Sequence, residues 1–124
     1  TVAGTSLPDV LPAGQVAEVV RRTIYGGAEV VALLKSGSAF YAPGASVASM
    51  VAAILGDTGA VVPACALVEG QYGLSGLHIG VPVTLGRQGV RSIPEWDLDE
   101  AELAALRASA EGVAEALAAI DLEA

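Results

Sequence analysis

The chain has 124 residues, of which 53% are apolar and 16% are charged, and its formal net charge is −8. This is the length of one domain, with enough apolar side chains for a core. Because the charged fraction is low for a soluble domain, we expect a partner outside the chain to cover part of the apolar surface. The acidic balance argues against a nucleic acid partner, which requires clustered Lys and Arg.

The carboxyl-terminal quarter holds most of the acidic residues. Nine carboxylates and one cation, Arg107, lie between Glu95 and Ala124. This pattern is typical of an acidic interaction tail or of the solvated face of a helix, and we favour the helix. We find no secretory signal and no apolar stretch long enough to span a membrane, so we expect a cytoplasmic protein without a membrane partner. The single Cys65 lies in an apolar run and is expected to be buried and unreactive.

Helical periodicity dominates the first half of the chain. Residues 1–10 are expected to form an extended entry, followed by a long helix over residues 12–35. The pair Gly26-Gly27 inside this helix indicates close packing or a bend, because glycine weakens a helix interior. A second helix is expected after Pro43, over residues 44–55.

The second half of the chain carries strand patterns. The apolar run over residues 60–68 predicts a buried strand, and Pro63 within it indicates an edge position or a bulge. Alternation over residues 77–85 predicts a second strand. The turn sequence at residues 86–89 then predicts a hairpin leading to a third strand over residues 90–93.

A last helix is expected to lie across this sheet. Asp99 is expected to cap its start, with Glu102 completing a capping box. The apolar stripe that follows has spacings of three and four and consists of Leu103, Leu106, Ala110, Val113, Leu117 and Ile120. The elements together predict an α+β fold in which long helices pack on a small antiparallel sheet.

Residue chemistry alone offers no complete catalytic apparatus. His78 is the only histidine and has no nearby carboxylate in sequence to orient its ring, so we interpret it as a surface or interface residue. Neither Cys65 nor any carboxylate stands at zinc-ligand spacing from it, and no metal site is expected. No Gly-x-Gly-x-x-Gly sequence opens a helix after a strand, so the chain is not expected to hold NAD by itself.

The best site candidate is the loop between the first two long helices, at residues 36–43. Its small side chains would allow a ligand to approach the backbone closely. The same Ser-Gly-Ser sequence is also an ordinary helix stop, and residue chemistry leaves these two interpretations open.

An ordered set of sequence blocks resembles the carboxyl-terminal domain of the lactate dehydrogenase-like malate dehydrogenases. The blocks are GAEVV at 27–31, KSGSAFYAP at 35–43, VPAC at 62–65, EGQYG at 69–73 and GVPVTLG at 80–86. The resemblance covers residues 1–124 and implies that the chain is the substrate-side domain of a two-domain enzyme. It implies that an amino-terminal Rossmann domain, which binds NAD, lies outside this chain.

The resemblance implies hydride transfer between the C2 carbon of malate and the nicotinamide of NAD. In the family a histidine oriented by an aspartate takes the hydroxyl proton, and arginines clamp the substrate carboxylates. The histidine motif would precede the segment that begins at Thr1, and His78 matches a later strand instead. Five arginines match no substrate arginine of the family: Arg21, Arg22, Arg87, Arg91 and Arg107. We therefore assign no catalytic residue to this chain and expect it to be inactive alone.

The resemblance does assign residues to a pocket wall. Ser38 and Ala39 would line the substrate side, and Pro43 would pack towards the nicotinamide. Lactate-specific relatives tend to carry Thr and Ile at the positions of Ala39 and Pro43, so this pair favours a small dicarboxylate substrate such as malate. The family also implies a homodimer or homotetramer. The alternatives are a lactate dehydrogenase of the same family and a non-catalytic assembly module.

Overall fold

The computed structural model describes residues 5–120 of the chain. They divide into two compact units, and the boundary between the units falls inside a helix, between Ser46 and Val47. The observed α+β architecture consists of four α-helices, one short 3-10 helix and a three-stranded antiparallel sheet in the described residues, which confirms the predicted fold class.

The amino-terminal unit contains α1 (Leu7–Val10) and α2 (Ala13–Leu34). The expected extended entry is therefore wrong over residues 7–10, where proline stands in the first turn of α1 and its missing N–H costs nothing; residues 1–4 lie outside the described residues. The helix α2 ends where Lys35 adopts a left-handed conformation, with φ of 63°, and Gly37 follows with φ of 86°. The predicted Ser-Gly-Ser helix stop is confirmed.

The surface of α2 is unusually apolar for an exposed helix. None of its 22 residues is buried. Eight large apolar side chains are exposed on it, namely Val19, Val20, Ile24, Tyr25, Val30, Val31, Leu33 and Leu34. Near its start, the guanidinium of Arg21 donates hydrogen bonds to the Glu18 carboxylate and lowers the pKa of Glu18.

The helix α3 (Tyr41–Leu55) begins earlier than its sequence predicts. Pro43 lies inside its first turn, and the first backbone hydrogen bond runs from the Gly44 N–H to the Phe40 carbonyl at 2.9 Å. Proline is tolerated there because the first N–H groups of a helix have no partner within it. The prediction that the helix starts after Pro43 is therefore wrong by three residues.

The carboxyl-terminal unit is built on three antiparallel strands in the order β1-β2-β3: β1 (Val61–Glu69), β2 (Ser75–Gly86) and β3 (Gly89–Ser92). The Leu85 N–H donates to the Ala60 carbonyl at 2.9 Å, so Ala60 and Leu85 form a hydrogen-bonded pair. In an antiparallel ladder such pairs recur at every second residue, so Val62 and Val83 form the next one. Pro63 therefore stands at a non-hydrogen-bonded position, and its backbone nitrogen points away from β2. Pro63 thus stands on an edge strand without breaking the ladder, as its sequence context predicts.

One face of the sheet forms the core. The alternating residues of β2 that point to it are buried, and Val68 and Val83 are fully buried. The helix α4 (Glu100–Ala118) packs against β2 through Ala110, and Ala53 of α3 joins the same cluster. The alternation predicted for β2 and the position predicted for α4 are confirmed.

The opposite face of the sheet is open to solvent. Cys65 and His78 both lie there, and both are exposed. The expectation that Cys65 is buried is therefore wrong. Its neighbours are apolar on both faces, which predicts a doubly covered strand, whereas the described residues cover one face of β1. The interpretation of His78 as a surface or interface residue agrees with its exposure.

Candidate functional site

A cavity of about 500 Å³ lies within the amino-terminal unit, between α2 and the start of α3. From α2 it is lined by the adjacent pair Gly26 and Gly27, by Val30 and by Leu34; Val30 lies three and four residues after the pair and Leu34 four residues after Val30, so all four share one helix face. The residues that complete its wall lie before and within the first turns of α3: Ala39, Phe40, Tyr41, Ala42, Pro43 and Ser46. The wall therefore consists of one helix face and the loop-helix junction opposite.

Two of the three predicted site residues meet in this cavity. Ala39 and Pro43 both line it, and Ala39 is half-buried. Ser38 is exposed and does not belong to the lining. The structure thus brings the predicted substrate-side alanine and nicotinamide-side proline to one surface and leaves the serine at its margin.

The cavity wall carries no charged side chain. Its only side-chain hydroxyls belong to Tyr41 and Ser46, and the remaining lining side chains are apolar or absent. Such a surface can exclude water and press on an apolar or planar group, but it offers no cation to a carboxylate. Any dicarboxylate bound here would need its positive partners from outside this wall.

Two aromatic rings form the most exposed part of the wall. Phe40 and Tyr41 are 62% and 82% exposed, and their ring centroids are 4.5 Å apart with a tilt of 33°. Both rings belong to the loop predicted as the site candidate, but no role was predicted for either. Because the helix was predicted to start after Pro43, Tyr41 was placed in the loop, and the helical periodicity did not indicate that the two rings border a cavity.

The α2 side of the wall is the part that sequence analysis missed. Its signal was available, since Gly26, Val30 and Leu34 repeat at intervals of four. From the sequence, the glycine pair was interpreted as close packing or a bend, and no cavity was predicted on this helix. In the structure α2 continues through both glycines, and an added Cβ at either would meet no atom within 4 Å. The predicted bend is therefore not observed, no residue of the amino-terminal unit packs closely against either glycine, and close packing against a partner outside these residues stays a prediction.

A second cavity, of about 310 Å³, lies in the carboxyl-terminal unit between α4 and the segment before it. The charged residues of its wall are Glu95, Asp97 and Arg107. The Glu95 carboxylate accepts a hydrogen bond from the Tyr72 N–H at 2.6 Å, and the Tyr72 hydroxyl accepts one from the Trp96 N–H at 2.9 Å. These contacts hold Tyr72 in its left-handed conformation (φ 55°), so we interpret the polar groups of this cavity wall as structural.

The described residues offer neither a metal site nor a complete dinucleotide-binding site. No group of three or more potential metal ligands occurs among residues 5–120. The wall beside Pro43 is apolar, and no basic side chain that could meet a pyrophosphate lines it. Within the same residues, no helix is both long enough and apolar enough to cross a membrane.

Comparison with known proteins gives a consistent result. Residues 4–121 match the family described as lactate/malate dehydrogenase, alpha/beta C-terminal domain. A malate dehydrogenase of Methanosarcina barkeri is 45% identical over 122 residues, which cover 98% of this chain and 40% of that protein. The chain thus spans about two fifths of the length of this relative.

Solved structures agree with the sequence match. The malate dehydrogenase of Salinibacter ruber superposes with a TM-score of 0.87 at 44% identity, over 94% of this chain and 38% of that one. A lactate dehydrogenase of Cryptosporidium parvum, complexed with lactic acid and nicotinamide adenine dinucleotide, gives a TM-score of 0.88 at 33% identity, over 98% of this chain and 41% of that one.

Proposed function

Because the chain belongs to the lactate/malate dehydrogenase family, we propose that it is the substrate-side domain of an NAD-dependent malate dehydrogenase. The complete enzyme would interconvert malate and oxaloacetate by hydride transfer. One observation carries the proposal for this chain: the cavity that brings Ala39 and Pro43 together belongs to a domain whose relatives include malate dehydrogenases at 45% and 43% identity.

The requirements of hydride transfer indicate what the cavity wall would contribute to the reaction. Hydride transfer requires two carbon atoms held near contact in a place from which water is excluded. The uncharged cavity wall serves both needs on one side. Ala39 would leave room for the substrate, and Pro43 would support the nicotinamide of a bound NAD, which would supply the carbon that exchanges the hydride.

The remaining reactive groups have to come from a second domain. The described residues place no charged side chain in the cavity wall, whereas a dicarboxylate requires cations and its hydroxyl requires a base. We therefore infer an amino-terminal Rossmann domain as the partner of this wall, and no activity for the 124-residue chain alone. A cytoplasmic homodimer or homotetramer would place the exposed apolar side chains of α2 against other subunits or domains.

A lactate dehydrogenase is the second candidate. It is favoured by the likeness to the Cryptosporidium parvum enzyme, whose structure holds lactic acid and the dinucleotide. By resemblance to the family, Ala39 and Pro43 favour malate, and the small side chain of Ala39 is in keeping with the carboxymethyl group that malate carries where lactate has a methyl group.

The proposal is tested with the complete protein that contains this domain. Oxidation of L-malate and L-lactate by NAD is followed by absorbance, and we expect kcat/KM for malate to exceed that for lactate by at least tenfold. A reversed preference would favour the lactate enzyme. A folded complete protein that oxidises neither substrate would favour the non-catalytic assembly module.

A further inference from the structure

A lysine stands where α2 ends, in a backbone conformation that suits glycine. Lys35 has φ of 63° and ψ of −29°, and its N–H donates to the Val31 carbonyl at 3.2 Å. A side chain makes such a positive φ unfavourable, so glycine is the usual residue at this position after a helix. Two residues later the chain does use glycine, at Gly37 with φ of 86°. Lys35 therefore stands there at a cost to the backbone, and strain of this kind is common beside functional sites.

Lys35 lies at the margin of the cavity between α2 and α3. It directly follows Leu34, which lines the cavity, and the connection that begins with it leads to Ala39 on the opposite wall. A four-carbon side chain on the residue after Leu34 keeps its charge within roughly 10 Å of the lining, which is the Debye length at 0.1 M ionic strength. The charge of Lys35 can therefore act on an ion that enters the cavity.

The charge of Lys35 has no partner in the part of the chain that the structure describes. Two ion pairs occur there, Arg21 with Glu18 and Arg91 with Asp57, and Lys35 belongs to neither. The lysine is exposed, and the cavity wall beside it carries no charged side chain. An uncharged cavity thus has an unpaired cation at its margin.

We propose that Lys35 is a positioning residue that attracts dianionic 2-oxo acids into the cavity. Coulomb attraction grows with the charge of the ligand, so a second carboxylate on the substrate doubles the attraction of a single cation. Lys35 would in this way favour oxaloacetate over pyruvate without touching the reacting atoms. This inference rests on the proposed dehydrogenase function, because it assumes that the substrate occupies the cavity.

Four substitutions in the complete enzyme separate the charge of Lys35 from its backbone conformation. Lys35→Arg keeps the charge, Lys35→Gln removes the charge and keeps a side chain, and Lys35→Gly removes both. Arg21→Gln is the matched control, because it removes one positive charge from α2 that the Glu18 carboxylate already compensates at 2.8 Å.

The experiment measures kcat and KM for oxaloacetate and pyruvate at saturating NADH. Each form is assayed at ionic strengths of about 0.01 M and about 1 M, where the Debye length is about 30 Å and about 3 Å. Tm is recorded for each form.

We expect Lys35→Gln and Lys35→Gly to lower the ratio of kcat/KM for oxaloacetate to that for pyruvate by about threefold at low ionic strength. This size corresponds to one further charge at roughly 6 Å in water. The loss should lie in a higher KM for oxaloacetate at unchanged kcat, and it should vanish at high ionic strength, where salt screens the attraction.

The other variants should follow the same logic. Lys35→Arg and Arg21→Gln should keep the wild-type ratio. Lys35→Gly should have a Tm above that of Lys35→Gln, because glycine adopts the left-handed conformation without strain.

An unchanged ratio in active Lys35→Gln and Lys35→Gly enzymes at low ionic strength would overturn the inference and leave the proposed function intact. An equal decrease in Arg21→Gln would also overturn it, since net charge would then explain the effect without any role for the position of Lys35. A decrease that persists at high ionic strength would show a structural effect of the substitution and would likewise overturn it. A folded wild-type enzyme inactive with both substrates would overturn the proposed function itself.

Discussion

The Asp57 carboxylate connects three parts of the carboxyl-terminal unit. It lies just after α3 in a left-handed conformation, with φ of 52°. Its Oδ1 atom accepts a hydrogen bond from the Arg87 N–H at 2.7 Å in the β2-β3 turn and pairs with the Arg91 guanidinium. The Arg91 side chain in turn lies against Gly86, where a Cβ would clash with it. One aspartate thereby ties the end of a helix to a hairpin.

Replacing Asp57 should lower the free energy of unfolding. We expect Asp57→Ala to cost about 1–2 kcal/mol, mainly through the lost hydrogen bond and the left-handed backbone, because the ion pair is partly exposed and contributes little. Asp57→Gly keeps the backbone conformation and should cost less than alanine. Urea unfolding measures both. Alanine and glycine variants as stable as the wild type would show that this carboxylate does not hold the hairpin.

A larger side chain at position 39 should change substrate selectivity. Ala39→Thr in the complete enzyme fills part of the cavity, so the ratio of kcat/KM for oxaloacetate to that for pyruvate should fall by about tenfold. Ala45→Thr, on an exposed position of α3 outside the cavity lining, is the control and should leave this ratio unchanged. If Ala39→Thr does not change the ratio, Ala39 is not part of the substrate wall.

At the scale of elements, α4 was the best predicted because its signals are local. The Asp99 side chain accepts from the Glu102 N–H at 2.8 Å, and the Glu102 carboxylate accepts from the Asp99 N–H at 3.1 Å, which confirms the predicted capping box. Both residues lie within one helical turn, so no tertiary information is needed to recognise the pair.

Removal of this cap should destabilise the unit that α4 covers. Asp99→Ala is expected to lower the free energy of unfolding by about 1 kcal/mol, whereas Asp99→Ser retains an acceptor and should cost less. Glu111→Ala, in the exposed middle of α4, controls for the loss of a carboxylate. The comparison is made by urea unfolding, and equal stabilities of the Asp99→Ala and Glu111→Ala forms would contradict the role of the cap.

The strands were predictable to within two residues, because alternation and turn sequences are also short-range signals. The errors lie where burial depends on distant parts of the protein. Cys65 was expected to be buried because its strand is apolar on both faces, and sequence does not reveal which face is covered. The start of α3 was placed too late because proline was taken as a boundary, although it is accepted in a first turn.

The candidate site was predictable only in part, because local sequence signals identify one side of the cavity and not the other. The loop over residues 36–43 was identified from its small residues and from family resemblance. The opposite wall on α2, with Gly26 and Val30, was not, because a cavity is a property of two elements facing each other and periodicity describes one element at a time.

At the scale of the whole molecule, the exposed apolar side chains of α2 favour association with a partner. Soluble monomers rarely expose large continuous apolar patches. We therefore expect the 124-residue chain, expressed alone, to self-associate through these side chains. Light scattering measures its mass as a function of concentration, and a monodisperse monomer at high concentration would contradict the expectation.

The central claim is that these residues form one wall of a catalytic cleft and lack its reactive groups. The most direct measurement compares oxaloacetate reduction by NADH, at equal molar concentration, for the complete protein and for the 124-residue chain whose fold has been verified by circular dichroism. We predict turnover by the complete protein and none by the chain. Turnover by the chain alone would contradict the account, because it would place the base and the dinucleotide site within these 124 residues.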